Sequence, residues 1–233
     1  MSKIEVIVLN DEDAKIAEAY GADRLELVTA IGEGGLTPSY GAIKRVVNSV
    51  KIPVMIMLRP HNYSFTYQKE EWDMIREDIR IIRELGAEGI VFGALTEEKL
   101  VDFDILAMVL EEADSLSITF HRAIDESKPL EIYRSLCESP HKINQVLTSG
   151  GKPTVMQGLE GLRNLVKDSM RDNDKPVIMP GSGLDINNIK FIHQTLQAQQ
   201  YHFGSGVRKE GDFRQSIDRK ILQKIKGIVY SQA

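Results

Sequence analysis

The sequence predicts an α/β protein with one domain, in which eight parallel strands form a barrel and a helix follows each strand. Two observations carry this prediction. Eight short apolar runs alternate with longer amphipathic stretches along the whole chain. In addition, 233 residues divided by eight gives about 29 residues per unit, the size of one strand–helix repeat. We therefore expect a (β/α)8 barrel of the TIM type that spans residues 1–233.

Eight candidate strands follow one another along the chain. They are the apolar runs at 4–9, 24–28, 54–58, 89–92, 116–120, 144–148, 177–179 and 201–203. Because strands that alternate with helices pair in parallel through crossover connections, the chain order predicts the order around the sheet. We therefore expect the carboxyl ends of all eight strands to meet at one rim.

Apolar residues at helical spacing mark the segments between the strands. The clearest series are Trp72, Ile75, Ile79, Ile82 and Leu85, and Phe213, Ile217, Ile221, Ile225 and Ile228. Two helix-to-strand junctions nearly repeat each other, AEAYGADRLEL around Gly21 and IRELGAEGIVF around Gly86. Glycine just past the last turn ends a helix in a left-handed conformation. An open doubly wound sheet is the competing architecture, but no G-x-G-x-x-G follows the first strand.

Composition excludes several classes of function. The formal net charge of −5 supplies no basic field for nucleic acid. No apolar run approaches the ~18–20 residues that cross a bilayer, and the start MSKIEVIVLNDED is typical of a first strand rather than a signal peptide. Cys137 is the only cysteine, which excludes an intrachain disulfide. We expect a cytosolic protein without nucleic-acid or membrane partners, and a homo-oligomer stays open.

Polar residues interrupt strands that should be apolar on both faces. The six are Glu5, Glu26, Arg59, His121, Arg122 and His202. Because a charge buried alone is very costly, these side chains must pair or lie near a wet barrel mouth. The functional interpretation makes His121, His202, Glu5 and Glu26 acid–base candidates, with Arg59 and Arg122 clamping an anion. The alternative is a structural ion-pair network.

Glycine-rich turns follow the last three strands, with the sequences TSGG (148–151), PGSG (180–183) and GSG (204–206). Such turns expose backbone N–H groups that bind anions, as the turns after strands seven and eight do in many barrels. The predicted ligand-binding residues there are Ser149, Gly150, Gly151, Gly181, Ser182, Gly183, Ser205 and Gly206. Arg208 is expected to add positive charge. The ligand is predicted to be small and anionic.

Two further features have open interpretations. The aromatic segment 59–67 is either a lid or a loop packed on the rim. No H-x-x-x-H or E-x-x-H pairing is expected on a helix, so no metal site is predicted from the residues. His61 lies in the proposed lid, whereas His141 and His193 are expected at the periphery.

Motifs along nearly the whole chain resemble signatures of the CutC family. They are ADRLEL (22–27), EGGLTPSYG (33–41), IPVMIMLRP (52–60), GALT (93–96), TFHRAID (119–125), LTSGG (147–151) and IMPGSG (178–183). The resemblance implies a β/α barrel and a role in copper homeostasis, with Cu(I) as the ion that some members bind. The pocket pattern of the family carries over to Glu5, Glu26, Arg59, His121, Arg122, Ser149, Gly150, Gly181, Gly183 and His202.

The sequence departs from the family pattern where copper ligands are expected. Copper-binding relatives have a cysteine in the first strand, a second after the next strand and in some cases a third near the last strand. The matching positions here hold Ile7, Val28 and Phe203. Because Cu(I) prefers thiolate ligands, this argues against direct Cu(I) binding. The sequence thus predicts a copper homeostasis protein, or alternatively a barrel enzyme that acts on a small anionic or phosphorylated substrate by acid–base chemistry. A non-catalytic regulatory or scaffold barrel is a third interpretation.

Overall fold

The computed structural model describes residues 2–140 and 142–231, and eight strands and eight α-helices alternate within them. The strands are β1 (Lys3–Val8), β2 (Arg24–Leu27), β3 (Val54–Met57), β4 (Gly89–Phe92), β5 (Ser117–Phe120), β6 (Gln145–Thr148), β7 (Val177–Pro180) and β8 (Gln200–Phe203). The helices are α1 (Asp11–Tyr20), α2 (Tyr40–Val47), α3 (Trp72–Glu84), α4 (Phe103–Ala113), α5 (Pro129–Cys137), α6 (Leu159–Ser169), α7 (Ile189–Leu196) and α8 (Arg219–Tyr230). All eight predicted strands are therefore confirmed.

The strands form one parallel sheet that curls into a barrel. Neighbouring strands follow chain order from β1 to β7, and β8 pairs with β1. A single parallel bridge between Gly181 and His202 joins β7 to β8 and closes the ring. The predicted (β/α)8 architecture is confirmed, and the competing open sheet is excluded because its edge strands would not meet.

The main hydrophobic core lies between the barrel and its helices. Successive side chains of a strand point to opposite faces, and in β1 the alternate residues Ile4, Val6 and Val8 belong to this outer core. A smaller apolar cluster of Val28, Met55, Met57 and Val91 fills part of the barrel interior. The interior therefore contains fewer apolar side chains than the shell around it, which leaves room for polar groups.

A buried polar layer centred on Arg24 closes the interior near the amino ends of the strands. The Arg24 guanidinium donates to Glu5, to Oε1 of Gln145 at 2.9 Å and to Oε1 of Gln200 at 2.9 Å. Gln145 in turn donates to the hydroxyl of Thr119 at 2.7 Å. Five strands contribute to this network, so it ties the bottom of the barrel together and gives the space above it a polar floor.

The start of α8 differs from the prediction. The side chain of Asp218 accepts hydrogen bonds from the N–H groups of Lys220 and Ile221, so the helix begins at Arg219. The expectation that Phe213 and Ile217 belong to this helix is wrong, because Ile217 instead forms an antiparallel bridge with Arg208. The helical spacing of apolar residues continues upstream of Asp218, although Asp218 caps the helix.

The helices are short. The longest, α3, has 13 residues, and among residues 2–140 and 142–231 no helix is both long and apolar enough to cross a bilayer. Gly21 and Gly86 follow α1 and α3 with φ values of 131° and 76°, which confirms their predicted role in ending those helices.

Candidate functional site

A cavity of about 280 Å³ opens at the carboxyl ends of the strands. Its polar lining consists of Glu26, Arg59, His121, Arg122, Ser182, His202 and Ser205. Its apolar lining consists of Ile7, Ile31, Met57, Phe65, Leu147, Leu184 and Phe213. A few convergent polar groups in a mainly apolar recess are typical of a small-molecule site. This space is called the mouth cavity below.

Arg59 brings an unpaired positive charge to the mouth cavity. It follows β3 and is buried, and its guanidinium donates only to the backbone carbonyls of Glu33, at 3.2 Å, and Asn62, at 3.4 Å. Its Nε atom has no acceptor among the described residues, and no described carboxylate forms an ion pair with it. The ring of Phe65 lies 4.6 Å from the guanidinium carbon. The site therefore offers a cation that lacks a counter-ion.

His121 places a neutral hydrogen-bond donor at the same mouth. Its Nδ1 atom accepts a hydrogen bond from the N–H of Ala123 at 3.3 Å, which puts the ring proton on Nε2. That Nε2 atom has no partner within the described part of the chain. Burial and the nearby Arg59 lower the pKa of His121 to about 3. The imidazole is therefore uncharged near neutral pH, and it accepts at Nδ1 and offers a donor at Nε2.

His202 lies between two buried carboxylates inside the barrel. Its Nδ1 atom is 2.8 Å from Oε1 of Glu5, and its Nε2 atom is 3.5 Å from Oε2 of Glu26. Glu5 also accepts from Arg24. The second oxygen of Glu26, Oε1, has no partner among the described residues. Since Glu26 and His202 line the mouth cavity while Glu5 does not, the first two are the groups that a ligand would reach.

The surroundings of Glu5 and Glu26 give their carboxyl groups different pKa values. Burial alone would raise the pKa of Glu5, but Arg24 and His202 bring it down to about 2. Burial raises the pKa of Glu26 to about 7. Burial lowers the pKa of His202, yet Glu26 and Glu5 outweigh that effect and raise it. Glu26 and His202 together therefore hold an exchangeable proton near neutral pH.

The buried trio does not fit a copper ion. Glu5, Glu26 and His202 offer ligand atoms within 4.8 Å of one another, but these are oxygen and nitrogen atoms, whereas Cu(I) prefers sulfur. The oxygens of Glu5 are also engaged by Arg24 and His202. A guanidinium in direct contact would repel a cation.

The positions at which the family pattern has cysteines carry no thiolate either. Ile7 lines the mouth cavity, and Val28 lies in the interior apolar cluster. Phe203 belongs to the outer core, and Cys137 ends α5, on the outside of the barrel. Among the described residues, the sulfur atom that lines the cavity is the thioether of Met57. The donors present therefore do not match a thiolate copper site.

The turn after β6 holds an internal carboxylate in place of an external anion. Asp125 accepts hydrogen bonds from the N–H of Ser149 at 3.0 Å, from the N–H of Gly151 at 2.9 Å and from the hydroxyl of Thr148 at 2.6 Å. The N–H of Gly150 donates to that same hydroxyl. Ser149, Gly150 and Gly151 do not line the mouth cavity, and neither does Gly181, whose N–H donates to the Thr148 carbonyl. The donors of this turn are already satisfied.

The turns after β7 and β8 remain open to the cavity. Ser182, Gly183, Ser205 and Gly206 line it, and their backbone N–H groups have no acceptor among the described residues. Ser182 and Gly183 have φ values of 81° and 74°. A Cβ atom on Gly206 would lie 1.9 Å from the carbonyl oxygen of Leu184, so the two turns pack backbone against backbone. Their ligand-binding role stays a prediction that this geometry favours.

The remaining two predicted arginines already have partners. Arg122 lines the cavity, but its Nε lies 2.9 Å from Asp125 and its NH2 group donates to the Ser149 hydroxyl at 3.0 Å. Arg208 is buried and pairs with Asp13 at 2.6 Å. The expectation that Arg208 adds charge to the last turn is wrong, because Asp13 neutralises that charge.

Segment 59–67 contributes one wall of the mouth rather than only a rim contact. Phe65 lines the cavity, its ring centre is 4.8 Å from that of His121, and its carbonyl accepts from Leu95. The adjacent Tyr63 is 87% exposed. His61 pairs with Glu71 at 3.0 Å. Closure of this segment as a lid stays a prediction.

The two histidines expected at the periphery have different outcomes. His193 lies in α7, where its Nδ1 atom is 3.0 Å from the hydroxyl of Tyr201. His141 lies outside the described residues.

Two residues of the site, Arg24 and Asp125, were not predicted. Arg24 lies two positions before Glu26 in β2, and alternate residues of a strand share a face. That spacing was a usable signal for a second ionic group inside the barrel. Asp125 ends the motif TFHRAID, but nothing in the sequence indicates that its carboxylate fills the turn after β6.

Comparison with known proteins gives one consistent result. The family model described as CutC family matches residues 2–207. A CutC family protein of Proteus mirabilis is 39% identical over 208 residues, which are 88% of this chain and 80% of that protein. A human protein named copper homeostasis protein cutC homolog is 36% identical over 200 residues, 85% of this chain and 71% of that one.

Solved structures agree on the fold. The crystal structure of CutC from Streptococcus agalactiae superposes with a TM-score of 0.78 at 27% identity, covering 88% of this chain and 98% of that chain. Phosphoribosyl anthranilate isomerase from Thermococcus kodakaraensis superposes with a TM-score of 0.64 at 15% identity, with both chains fully covered. The second likeness is one of fold alone.

Proposed function

Since this chain belongs to the CutC family, we propose that it serves copper homeostasis as a cytosolic barrel that binds a small anionic ligand and does not itself carry Cu(I). The observation that carries the proposal is the unpaired Arg59 guanidinium beside the unpartnered Nε2–H of His121 at one cavity. Nε of Arg59 and Nε2 of His121 are donors without an acceptor among the described residues, and no described carboxylate pairs with the guanidinium. An anion supplies what they lack.

Electrostatics favours an anion at this position over a cation or a neutral molecule. A buried guanidinium without a counter-ion is unfavourable, and an anionic ligand would relieve that cost. Charge-assisted hydrogen bonds to Arg are short and strong. Because burial and Arg59 keep His121 neutral, its Nε2–H donates without adding a second positive charge that would need its own counter-ion.

Anion binding is tested with inorganic phosphate and isothermal titration calorimetry. We expect the wild-type protein to bind phosphate, and Arg59→Ala to weaken binding at least tenfold because the uncompensated charge is lost. His121→Ala should weaken it less, since only a neutral donor is removed. Arg45→Ala is the matched control, because Arg45 is exposed and pairs with Asp11 on the surface. Equal phosphate binding by wild type and Arg59→Ala would contradict the proposal.

The part that concerns copper is tested by titrating the purified protein with Cu(I) against a chelator of known affinity. We expect the protein to remove no stoichiometric Cu(I) from the chelator, because the positions matched to cysteines hold Ile7, Val28 and Phe203. Capture of one equivalent would show direct copper carriage. The Ile7→Cys/Val28→Cys double variant is the positive control for the assay, since it restores two thiols.

A second candidate function, an enzyme using acid–base chemistry on the bound anion, is favoured by one observation. The carboxyl of Glu26 lines the cavity with one oxygen unpartnered among the described residues, and burial brings its pKa to about 7. A pKa near the working pH is what a general acid or base requires. In this mechanism Glu26 exchanges a proton with the ligand, His202 shares that proton, and Glu5 orients His202.

Proton exchange is tested by incubating the protein with a mixture of small phosphorylated acids in D2O and following their C–H signals by NMR. We expect wild-type protein to exchange a C–H proton of one component for deuterium. Glu26→Gln should stop the exchange while phosphate binding at Arg59 persists. Absence of exchange in every component would remove the enzymatic candidate and leave the binding role.

A further inference from the structure

We propose that the ligand is a small phosphorylated carboxylic acid, held at its two ends by two separate sets of donors on opposite sides of the mouth cavity. This inference rests on the proposed function and deepens it. The two sets are Arg59 with His121, and the backbone N–H groups of the turns after β7 and β8.

The first set is built by side chains. Arg59 follows β3 and His121 follows β5, and both are buried. Phe65 lies against both of them, 4.6 Å from the guanidinium carbon and 4.8 Å from the imidazole centre. Their free donor atoms, Nε of Arg59 and Nε2 of His121, face no acceptor in the described chain. This arrangement fits one compact oxyanion.

The second set is built by backbone. Ser182 and Gly183 after β7, and Ser205 and Gly206 after β8, line the same cavity with N–H groups that lack acceptors among the described residues. The close approach of Gly206 to the Leu184 carbonyl brings the two turns together. Successive N–H groups can form concave anion sites, and in the turn after β7 Ser182 and Gly183 have the positive φ values that favour one. This set carries no full charge, and no described carboxylate fills it as Asp125 fills the turn after β6.

The separation of the two sets requires a ligand with two ends. β5 and β7 are separated by one strand, so their carboxyl ends lie roughly 10 Å apart. A single oxyanion cannot contact both donor sets. Because the donors project into the cavity, the remaining distance between the two sets is shorter, and a three-carbon chain with an anionic group at each end spans it. The volume of about 280 Å³ also limits the ligand to a small molecule.

The part of the cavity between the two donor sets is where a proton can be exchanged. Glu26 and His202 lie on the strands β2 and β8 and contact the cavity from below its rim. Apolar side chains such as Met57, Leu147 and Phe213 form the walls. A ligand held at both ends therefore presents its middle carbons, and not its charged groups, to the acid–base pair.

The test uses two probes that differ at one end only. 3-Phosphoglycerate has a phosphate and a carboxylate, whereas glycerol 3-phosphate has the same phosphate and a hydroxymethyl group. Calorimetry should show that wild-type protein binds 3-phosphoglycerate at least tenfold more tightly than glycerol 3-phosphate. The Arg59→Ala variant should bind the two probes nearly equally, because the first donor set has then lost its positive charge.

Two variants complete the design. Ser205→Asp adds a negative charge to the second set and should weaken binding of both probes at least tenfold. Arg45→Ala, which removes an exposed arginine far from the mouth, should keep the tenfold preference. Circular dichroism confirms that each variant is folded.

The outcomes separate this inference from the proposed function. If inorganic phosphate or glycerol 3-phosphate binds in an Arg59-dependent manner but 3-phosphoglycerate binds no more tightly, the two-ended ligand is wrong and the anion site stands. The same conclusion follows if Arg59→Ala keeps the tenfold preference. If none of the three anions binds to wild-type protein, both proposals fall.

Discussion

Nδ1 of His202 lies 2.8 Å from Oε1 of Glu5, inside a barrel interior where both side chains are almost fully buried. Glu5 also holds Arg24, so one carboxylate anchors the imidazole on one side and the guanidinium on the other. Glu5 therefore holds Arg24 and His202 in place and does not itself line the mouth cavity. It also fixes the ring of His202 so that Nε2 faces Glu26.

Glu5→Gln should lower the free energy of unfolding by about 3–5 kcal/mol, because it leaves the buried charge of Arg24 without its carboxylate. Urea denaturation measures the change. The pKa of His202 should also fall, since Glu5 helps to raise it, and an NMR titration of the imidazole protons reports that. Asp11→Asn is the control, because Asp11 pairs with Lys15 and Arg45 on the surface, and its stability should hardly change. A Glu5→Gln protein as stable as the control would show that Arg24 is satisfied without Glu5.

Glu26→Gln should stabilise the protein at high pH and not at low pH. The pKa of Glu26 is raised by burial from 4.5 to about 7, so between these values the native state binds a proton that the unfolded state has lost. Native stability therefore falls as pH rises through this window. The variant lacks the effect and should gain up to about 3 kcal/mol over wild type by pH 8, while the two are similar at pH 4.5. Urea denaturation across pH 4.5–8 measures this, and a difference that is constant with pH would contradict it.

Removing the Arg59 charge should raise the pKa of His121. Burial is the larger cause of the low value and the Arg59 charge is the second. In Arg59→Met the pKa of His121 should therefore rise but stay below its ordinary value of 6.5. Saturating phosphate should have the same effect on wild-type protein, because the anion offsets the guanidinium charge. Long-range ¹H–¹⁵N NMR spectra follow the imidazole nitrogens, with Arg45→Ala as the control. A pKa of His121 that responds to neither change would place the anion elsewhere.

Asp125→Ala should destabilise the protein by about 3 kcal/mol, because two N–H groups and a hydroxyl of the turn after β6 lose their acceptor. The emptied turn then resembles the proposed anion sites after β7 and β8. We expect phosphate to raise the melting temperature of this variant more than that of wild type, since a phosphate oxygen replaces the lost carboxylate. Thermal unfolding with and without phosphate measures both effects.

The control for the phosphate effect is Asp102→Ala, which removes the N-cap of α4 and costs about 1 kcal/mol. Its melting temperature should respond to phosphate as the wild type does. An equal phosphate response of Asp125→Ala and Asp102→Ala would show that the turn collapses and forms no anion site.

Gly206→Ala should disrupt the contact between the last two turns. A Cβ atom there would lie 1.9 Å from the Leu184 carbonyl oxygen, so the turns must separate and binding of 3-phosphoglycerate should weaken. Gly227→Ala is the matched control, because Gly227 lies in α8 with no atom within 4 Å of the added Cβ. It should stabilise the helix by about 0.5–1 kcal/mol. Denaturation measures the stability of each variant and calorimetry its ligand binding, and full binding of 3-phosphoglycerate by Gly206→Ala would contradict this role of the glycine.

Local patterns in the sequence determined most of the fold. Apolar runs and helical spacing located all eight strands, because a parallel barrel repeats one local unit and pairs neighbours in chain order. The failure at the start of α8 arose because Asp218 caps the helix, while apolar spacing continues upstream through Phe213 and Ile217. Side-chain capping outweighed periodicity at that boundary.

The candidate site was less accessible to sequence reasoning. Polar residues at strand ends correctly indicated that Glu26, Arg59, His121 and His202 would line one cavity. Which of their charges remain unpaired depends on contacts between distant segments, such as Asp13 with Arg208 and Asp125 with the turn after β6. Such pairings across the barrel leave no local pattern, so the charge balance at the mouth emerged only from the three-dimensional arrangement.

The single bridge between Gly181 and His202 makes one residue part of both the wall and the interior. The backbone of His202 pairs with Gly181 where the sheet closes into a barrel. The imidazole of the same residue lies between Glu5 and Glu26. Separation of β7 from β8 must therefore also displace the imidazole of His202. Closure of the barrel and protonation of its interior therefore both depend on His202. A variant that weakens the pairing of β7 with β8 is expected to change the protonation of Glu26 and His202 as well.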